Sequence, residues 1–151
     1  MGHTLRNCTE LPEGGAKVLI VEDEFLVAMQ LEDIISDSGY DVLGTVADFA
    51  SLSALGTAPD IAFVDLNLRD GLTGPAVARA LAGKFGSRVI YVTANPGQIG
   101  IPADTAVGVV QKPFSSRAIL AALTYALSDC PEAARPAGLE PLARSPMSAR
   151  A

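Results

Sequence analysis

Residues 18–23 read Val-Leu-Ile-Val-Glu-Asp, an apolar run of four residues that ends in two adjacent acids. Three more apolar runs of the same length occur further along the chain, and polar residues follow each of them. These runs are 61–64 before Asp65, 89–92 before Thr93, and 107–110, after which Gln111 separates the run from Lys112. Short runs rich in β-branched residues are typical of the buried strands of a parallel sheet.

The polar residues at the ends of these runs define a candidate site. In an open α/β sheet, ligands bind outside the carboxyl ends of the strands. We therefore expect Glu22, Asp23, Asp65, Thr93 and Lys112 to converge on one pocket. That pocket would be acidic, with a hydroxyl and an ammonium group at its rim.

Helical patterns alternate with the strands, which favours a doubly wound architecture. Strands are predicted at 17–21, 41–46, 60–64, 88–92 and 107–111, and helices at 24–38, 47–56, 75–85 and from Ser115 or Ser116 to about 127. This order predicts an α/β fold of the flavodoxin-like (βα)5 type, with a five-stranded parallel sheet in the order 2-1-3-4-5. The fourth crossover, 94–106, contains two prolines and two glycines, so we expect irregular turns there.

Composition limits the classes of function. The 151 residues suit one domain, and a net charge of −6 without a basic stripe argues against a nucleic-acid partner. The longest apolar stretches are strand-sized and no signal peptide is evident, which predicts a cytoplasmic protein without a membrane span. We expect a disordered leader at 1–16, a folded domain at 17–128 and a disordered Pro/Ala-rich tail at 129–151.

The clustered acids indicate a hard cation. Two carboxylates about 4 Å apart repel by roughly 4 kcal/mol at an effective dielectric near 20, so such a cluster keeps a proton or recruits a cation. Oxygen ligands without histidine or cysteine suit Mg²⁺. The alternative is that Glu22, Asp23 and Asp65 are solvated loop acids, although three acids at adjacent strand ends are uncommon.

A carboxylate that is held by Mg²⁺ and faces a lysine can act as a nucleophile toward a phosphoryl group. Asp65 is the best candidate because it follows the most central run. Asp70 is the rival, but its place beside a glycine in the same loop favours a role in a turn. Lys112 precedes Pro113, and a cis bond there would aim the lysine into the pocket.

Four motifs together resemble the receiver domain of two-component response regulators, and the resemblance covers about 17–128. The motifs are Val-Leu-Ile-Val-Glu22-Asp23-Glu, Val-Asp65-Leu-Asn, Val-Thr93-Ala and Lys112-Pro-Phe. The resemblance implies Asp65 as the phosphoacceptor, Glu22, Asp23, Asp65 and the backbone carbonyl of Asn67 as Mg²⁺ ligands, Thr93 as a hydroxyl that rotates toward the phosphoryl group, and Lys112 as the cation that pairs with it.

The resemblance implies that the protein functions as a single-domain response regulator and is not a turnover enzyme. It would take a phosphoryl group from a histidine kinase and serve as a phosphate sink, as a relay intermediate toward a histidine phosphotransfer protein, or as a switch that binds a downstream protein. The phrase at 65–75 is similar to receivers found beside alphaproteobacterial stress-response kinases. The sequence departs from the family at Val109, where receivers often carry an aromatic residue, and at Leu68, where many carry proline.

Two other functions remain open. A pseudo-receiver would be a protein-interaction module that never takes phosphate. A phosphatase that forms an aspartyl phosphate would need a second acid two residues after its nucleophile, and Asn67 stands there. A nucleotide-binding domain is disfavoured, because the turn at 22–24 is acidic and has no glycine.

Overall fold

Five parallel strands form one sheet in the computed structural model of the protein, which describes residues 15–128 and 130–142. The strands are β1 (Lys17–Val21), β2 (Asp41–Val46), β3 (Ile61–Val64), β4 (Arg88–Thr93) and β5 (Ala106–Gln111). The α-helices are α1 (Phe25–Asp37), α2 (Gly74–Phe85) and α3 (Ser116–Ala126), and short 3-10 helices lie at Ala50–Ala54, Pro96–Gln98 and Glu132–Ala134. The strand order is β2-β1-β3-β4-β5, which confirms the predicted fold class.

Alternate residues of the central strands β1, β3 and β4 enter two separate cores, one on each face of the sheet. On β1, for example, Val18 and Ile20 pack with α1 and α3, whereas Leu19 and Val21 pack on the side of α2. Because both faces are covered, neither face of the central strands is exposed to solvent, and their sequences are continuously apolar. This arrangement leaves the carboxyl edge of the sheet as the place where polar side chains can gather.

The helix predicted at 47–56 is wrong in type and length, because only Ala50–Ala54 is helical, and it is a 3-10 helix. The Asp48 carboxylate accepts a hydrogen bond from the Ser51 N–H at 2.8 Å and so holds a tight turn. With Gly56 close behind, no second turn forms. The other helix ends agree with their sequence signals: Ser115 caps α3 by accepting from the Ala118 N–H, and Gly86 ends α2 with a left-handed φ of 69°.

The fourth crossover is irregular, as predicted, with one short 3-10 helix at Pro96–Gln98. The crossover is held by an anchor that the sequence does not predict. Tyr91 on β4 is fully buried, and its hydroxyl accepts a hydrogen bond from the Ala103 N–H at 2.9 Å. The side chain of Tyr91 lies beside Val109 of β5 in the same core. A buried aromatic ring therefore packs beside Val109 on the α2 side of the sheet, but β4 contributes it.

Replacing Tyr91 with phenylalanine should destabilise the protein by about 1–3 kcal/mol, because the Ala103 N–H stays buried without its acceptor. Burial raises the pKa of the Tyr91 hydroxyl above its usual 10.0, and the hydrogen bond from Ala103 opposes this. The neutral hydroxyl therefore stabilises the fold fully below pH 10, and this contribution is lost as the pH rises through the folded-state pKa. Urea unfolding at pH 8 and above pH 10 should show the stability difference shrinking with pH.

Tyr40→Phe is the control, since that ring is half-buried on the other face of the sheet. Equal stability of the Tyr91 and Tyr40 variants at pH 8 would contradict an anchoring role for the Tyr91 hydroxyl.

The segment 130–142, which we call the C-terminal strap, differs from the expectation of a disordered tail. It crosses the outer edge of β5, where Glu140 forms an isolated antiparallel bridge with Val109. Leu139 is 1% exposed and joins the core on the α1–α3 side. The composition is poor in apolar residues, but one buried leucine, a pair of backbone hydrogen bonds and several side-chain contacts hold the strap. At the other end, Ala16 was placed in the disordered leader, but it is buried and its carbonyl accepts a hydrogen bond from the Asp41 N–H at 3.2 Å. The rest of the predicted disorder, at 1–14, 129 and 143–151, lies outside the described residues.

A membrane span is not found in the described part of the chain, where none of the helices has the length and apolar character that crossing a bilayer requires.

Candidate functional site

Three acids converge at the carboxyl edge of the sheet. Glu22 and Asp23 follow β1 directly, and Asp65 follows the neighbouring β3. One carboxylate oxygen from each of the three lies within 4.8 Å of the others. Glu22 and Asp65 are buried, at 2% and 8% exposure, whereas Asp23 is exposed. The acids therefore line a pocket that is buried at Glu22 and Asp65 and open to solvent at Asp23.

Lys112 bridges the two buried acids. Its Nζ lies 3.0 Å from Glu22 Oε1 and 3.0 Å from Asp65 Oδ2. The peptide bond between Lys112 and Pro113 is cis, and the lysine does point into the pocket. The other carboxylate oxygens accept backbone hydrogen bonds, Glu22 Oε2 from the Glu24 N–H at 3.0 Å and Asp65 Oδ1 from the Leu66 N–H at 2.7 Å. Both buried carboxylates are thus fixed in orientation before any ligand arrives.

The charges of the pocket depend on burial and on the lysine. Burial raises the pKa of Glu22 above its usual value, and the hydrogen bond from Lys112 opposes that change. For Lys112, burial would lower the pKa, but the hydrogen bonds to Glu22 and Asp65 outweigh it and raise the pKa. The ammonium therefore stays charged at neutral pH. Three carboxylates and one ammonium carry a formal charge of −2, that is, −3 and +1.

Thr93 ends β4 and is 1% exposed. Its Oγ1 accepts a hydrogen bond from the Asn95 N–H at 2.9 Å, and its carbonyl oxygen accepts from the Lys112 N–H at 3.1 Å. The register of the sheet puts Thr93 one position beyond the level of Asp65, because Val64 pairs with Tyr91. The hydroxyl keeps an O–H group that can donate to a ligand in the pocket.

Asn67 and Asp70, two polar residues in the loop after β3, make different contacts. Asn67 is exposed, and its Nδ2 donates to Gln98 Oε1 of the fourth crossover at 2.9 Å. Asp70 accepts hydrogen bonds from the Phe49 N–H at 3.1 Å and from the Thr73 hydroxyl at 2.6 Å. Asp70 therefore stabilises the loop, as the sequence predicted. The tie between Asn67 and Gln98 has no signal in the sequence.

The loop returns to the site at Gly74, where α2 begins. The Gly74 N–H donates to the Leu66 carbonyl at 2.9 Å. A Cβ atom on Gly74 would overlap the carbonyl oxygen of Asp65 and would lie 2.5 Å from Leu66 Cα. The first turn of α2 thus packs directly on the backbone that carries Asp65. Glycine is required here because no side chain fits between the helix and the site.

An apolar patch borders the pocket on the first turns of α1. Phe25, Leu26 and Met29 are 72%, 73% and 43% exposed. They follow Glu22 and Asp23 almost directly in the chain, so they lie next to the acids. Exposed apolar side chains that cluster beside a pocket mark a surface for another protein.

The donor set of the pocket fits Mg²⁺. It consists only of oxygen atoms, it carries surplus negative charge, and Asp23 leaves one side open to solvent. Magnesium binds through a few carboxylates and keeps several waters, so it needs such an open side. Lys112 compensates part of the negative charge but cannot compensate all three acids.

Comparisons with known proteins identify the family of the chain. Residues 18–124 match the family described as the response regulator receiver domain. The phyllosphere-induced regulator PhyR of Methylorubrum extorquens is 30% identical over 116 residues, which are 74% of this chain and 43% of that protein. The transcriptional regulatory protein PdtaR of Mycobacterium tuberculosis is 28% identical over 119 residues, 74% of this chain and 57% of that protein. The chain spans about half the length of these curated relatives.

A solved structure gives the same picture at the level of the fold. The solution NMR structure of the PhyR receiver domain from Erythrobacter litoralis is 34% identical to this chain, with a TM-score of 0.66. The match covers 76% of this chain and 91% of that one. It therefore spans nearly all of the folded domain of the relative.

Proposed function

The chain belongs to the family of response regulator receiver domains, and from this premise we propose that it accepts a phosphoryl group from a histidine kinase on Asp65, with Mg²⁺ bound. The observation that carries the proposal is the contact of one ammonium with two buried acids: Lys112 Nζ lies 3.0 Å from both Glu22 and Asp65. This arrangement holds a carboxylate in one orientation and puts a cation where negative charge would develop.

The chemistry is a displacement at phosphorus. A carboxylate oxygen of Asp65 forms a bond to phosphorus while the bond from phosphorus to the donor's histidine nitrogen breaks. The electron pair leaves on that nitrogen, which takes up a proton. The Lys112 ammonium neutralises one phosphoryl oxygen, and the Thr93 hydroxyl donates a hydrogen bond to another. The rotation of Thr93 toward the phosphoryl group, which the family resemblance implies, would exchange the contact with the Asn95 N–H for this hydrogen bond.

For the metal, we propose Glu22, Asp23 and Asp65 as ligands, together with the backbone carbonyl of Asn67. When bound, Mg²⁺ supplies positive charge that offsets the repulsion between the acids and the incoming phosphoryl group. Glu22 holds the Glu24 N–H and Lys112, so it also sets the position of the acidic turn.

The partner that fits the surroundings is a protein. Phe25, Leu26 and Met29 expose apolar surface next to the acids, which suits a histidine kinase better than a small phosphodonor. We propose that the protein acts in the cytoplasm as a response regulator. Three roles are then open. The protein acts as a sink that removes phosphoryl groups from the kinase, as a relay that passes them to a histidine phosphotransfer protein, or as a switch whose phosphorylation changes its affinity for a downstream protein.

The test of this proposal is Mg²⁺-dependent phosphorylation. Intact-mass spectrometry with a small phosphodonor should show the addition of one phosphoryl group with Mg²⁺ and none with EDTA. Mg²⁺ alone should raise the unfolding temperature, because a ligand that binds the native state stabilises it. Asp23→Asn should weaken Mg²⁺ binding by on the order of tenfold, since one charged ligand is lost.

Asp33→Asn is the matched control, because Asp33 is an exposed acid on α1. An intact protein that binds Mg²⁺ but takes no phosphoryl group would favour the pseudo-receiver. Sustained release of phosphate from a phosphoester would favour a phosphatase, which the amide of Asn67 and its tie to Gln98 disfavour.

A further inference from the structure

The C-terminal strap covers the outer edge of β5. We propose that this contact competes with phosphorylation of Asp65. In this proposal the strap is an autoinhibitory segment: it binds β5 while the site holds free carboxylates, and it leaves when Asp65 carries a phosphoryl group. The inference rests on the proposed function, because it concerns the consequence of phosphoryl acceptance at the same site.

The strap is joined to β5 by a pair of backbone hydrogen bonds. The Val109 N–H donates to the Glu140 carbonyl at 2.9 Å, and the Glu140 N–H donates to the Val109 carbonyl at 2.8 Å. These are the bonds that an added antiparallel strand would make on an edge. The strap therefore occupies the backbone groups through which β5 could bind an extended segment of another protein.

Side chains of the strap lie on both sides of that edge. Leu139 is buried in the core on the α1–α3 side, and Leu142 packs against the core on the α2 side. Arg135 Nη1 donates to the Val107 carbonyl at 2.6 Å, and its guanidinium lies 5.6 Å from the centre of the Tyr125 ring. The strap thus wraps the edge from one face of the sheet to the other.

The sequence of β5 makes room for this contact at Gly108. A Cβ atom there would lie 2.7 Å from Leu139 Cγ and 2.8 Å from both Arg135 Nη1 and the Glu140 carbonyl oxygen. A side chain at this position would push the strap away. Close contact between the strap and β5 is therefore matched by a residue without a side chain in the strand.

The strap makes several hydrogen bonds with the domain, but it buries little apolar surface. Apart from Leu139, its residues with described side chains are half-buried or exposed. Segments with little buried apolar surface open locally far more often than a domain unfolds. The strap is thus an element with two states, bound and released, whose balance a modest change in β5 can shift.

The end of β5 connects the strap to the site. Gln111 Nε2 donates to Glu140 Oε1 at 3.0 Å, and the next residue is Lys112. The Lys112 N–H donates to the Thr93 carbonyl, and its Nζ holds Asp65. A phosphoryl group on Asp65 replaces the carboxylate oxygen as the partner of Lys112 and draws Thr93 toward it. Both changes act on the end of β5, where Gln111 holds the strap.

Thermodynamic linkage makes this proposal testable without knowing the partner. If phosphorylation weakens the binding of the strap, then release of the strap must strengthen binding at the site by the same factor. Beryllofluoride, which mimics the phosphoryl group on an aspartate, provides a binding equilibrium for that measurement. Each variant can be studied in the chain of 151 residues.

The variant is Leu139→Asp, which puts a charge where the strap enters the core, and the matched control is Ala137→Asp, an exposed position in the same segment. NMR titration with beryllofluoride and Mg²⁺ gives the affinity, and amide hydrogen exchange at Val109 and Glu140 reports on the strap. In the wild type, beryllofluoride should lower the protection of both amides. Leu139→Asp should bind beryllofluoride several-fold tighter, roughly three- to tenfold, and the control should match the wild type.

A second variant covers the case in which Leu139→Asp does not fold. Glu140→Pro removes the N–H that donates to Val109 and leaves Leu139 in place, so it should also bind beryllofluoride more tightly. Unchanged affinity in the folded variants, or unchanged protection when Asp65 and Thr93 respond, would overturn the strap proposal alone. No response at Asp65 and Thr93 in the wild type would overturn both the proposed function and the strap proposal.

Discussion

Replacement of Asp65 with asparagine should abolish phosphoryl acceptance, with the rate falling at least about a hundredfold. The reason is that an amide oxygen, unlike a carboxylate oxygen, carries no negative charge and is a poor nucleophile. The side chain keeps its shape, and the Leu66 N–H can still bond to the amide oxygen. The ion pair with Lys112 is lost, but so is the repulsion between Asp65 and Glu22, and the fold should persist. The measurement is the rate of incorporation of labelled phosphoryl groups from a small phosphodonor with Mg²⁺.

Asp70→Asn provides the control for this experiment, since Asp70 belongs to the same loop but bonds to Phe49 and Thr73. It should accept phosphoryl groups at nearly the wild-type rate. Comparable labelling of the Asp65 variant would show that another residue is the acceptor. Loss of labelling in both variants, with folded protein, would show that the geometry of the loop limits the reaction.

Replacement of Gly74 with alanine should lower the free energy of unfolding by about 3 kcal/mol or more, the upper end of the cost of overpacking. The new methyl group would overlap the Asp65 carbonyl oxygen and crowd Leu66 Cα, and both are backbone atoms of the buried residues that directly follow β3. The helix cannot retreat without breaking the hydrogen bond from the Gly74 N–H to Leu66. Urea unfolding gives the change in stability from the shift in midpoint.

Gly83→Ala is the matched control in the same helix. No atom lies within 4 Å of a Cβ placed on Gly83, so the methyl group meets open space. Alanine should stabilise the helix there by about 0.5–1 kcal/mol, because it loses less conformational freedom than glycine. If both variants destabilise equally, the cost arises from the helix and not from contact with Asp65.

The fold and the convergence of the acids follow from local sequence patterns. The runs that precede Asp65 and Thr93 are continuously apolar because helices cover both faces of the sheet, and this pattern is visible without a structure. The resemblance to receiver domains, read from four short motifs, is confirmed by the family match over residues 18–124. Alphaproteobacterial PhyR proteins among the relatives agree with the finer resemblance.

The features that were not predicted depend on pairs of residues distant in sequence. Tyr91 and Ala103 meet because the crossover folds over the end of β4, which no local pattern encodes. The strap is held by Leu139 and by backbone groups, and a single leucine among prolines does not stand out from a disordered segment. The crowding at Gly74 is likewise set by the approach of α2 to β3.

The covered edge of β5 also bears on the solubility of the protein. An open sheet has two outer strands, and an uncovered one offers a row of backbone groups that can template aggregation with other chains. The other outer strand, β2, has an irregular register beside β1, which makes it a poor template. β5 has a similar register shift beside β4, and in addition the strap takes up the outward backbone groups of Val109. Variants that release it should therefore be purified and compared at low concentration, where self-association through β5 does not obscure the properties of the monomer.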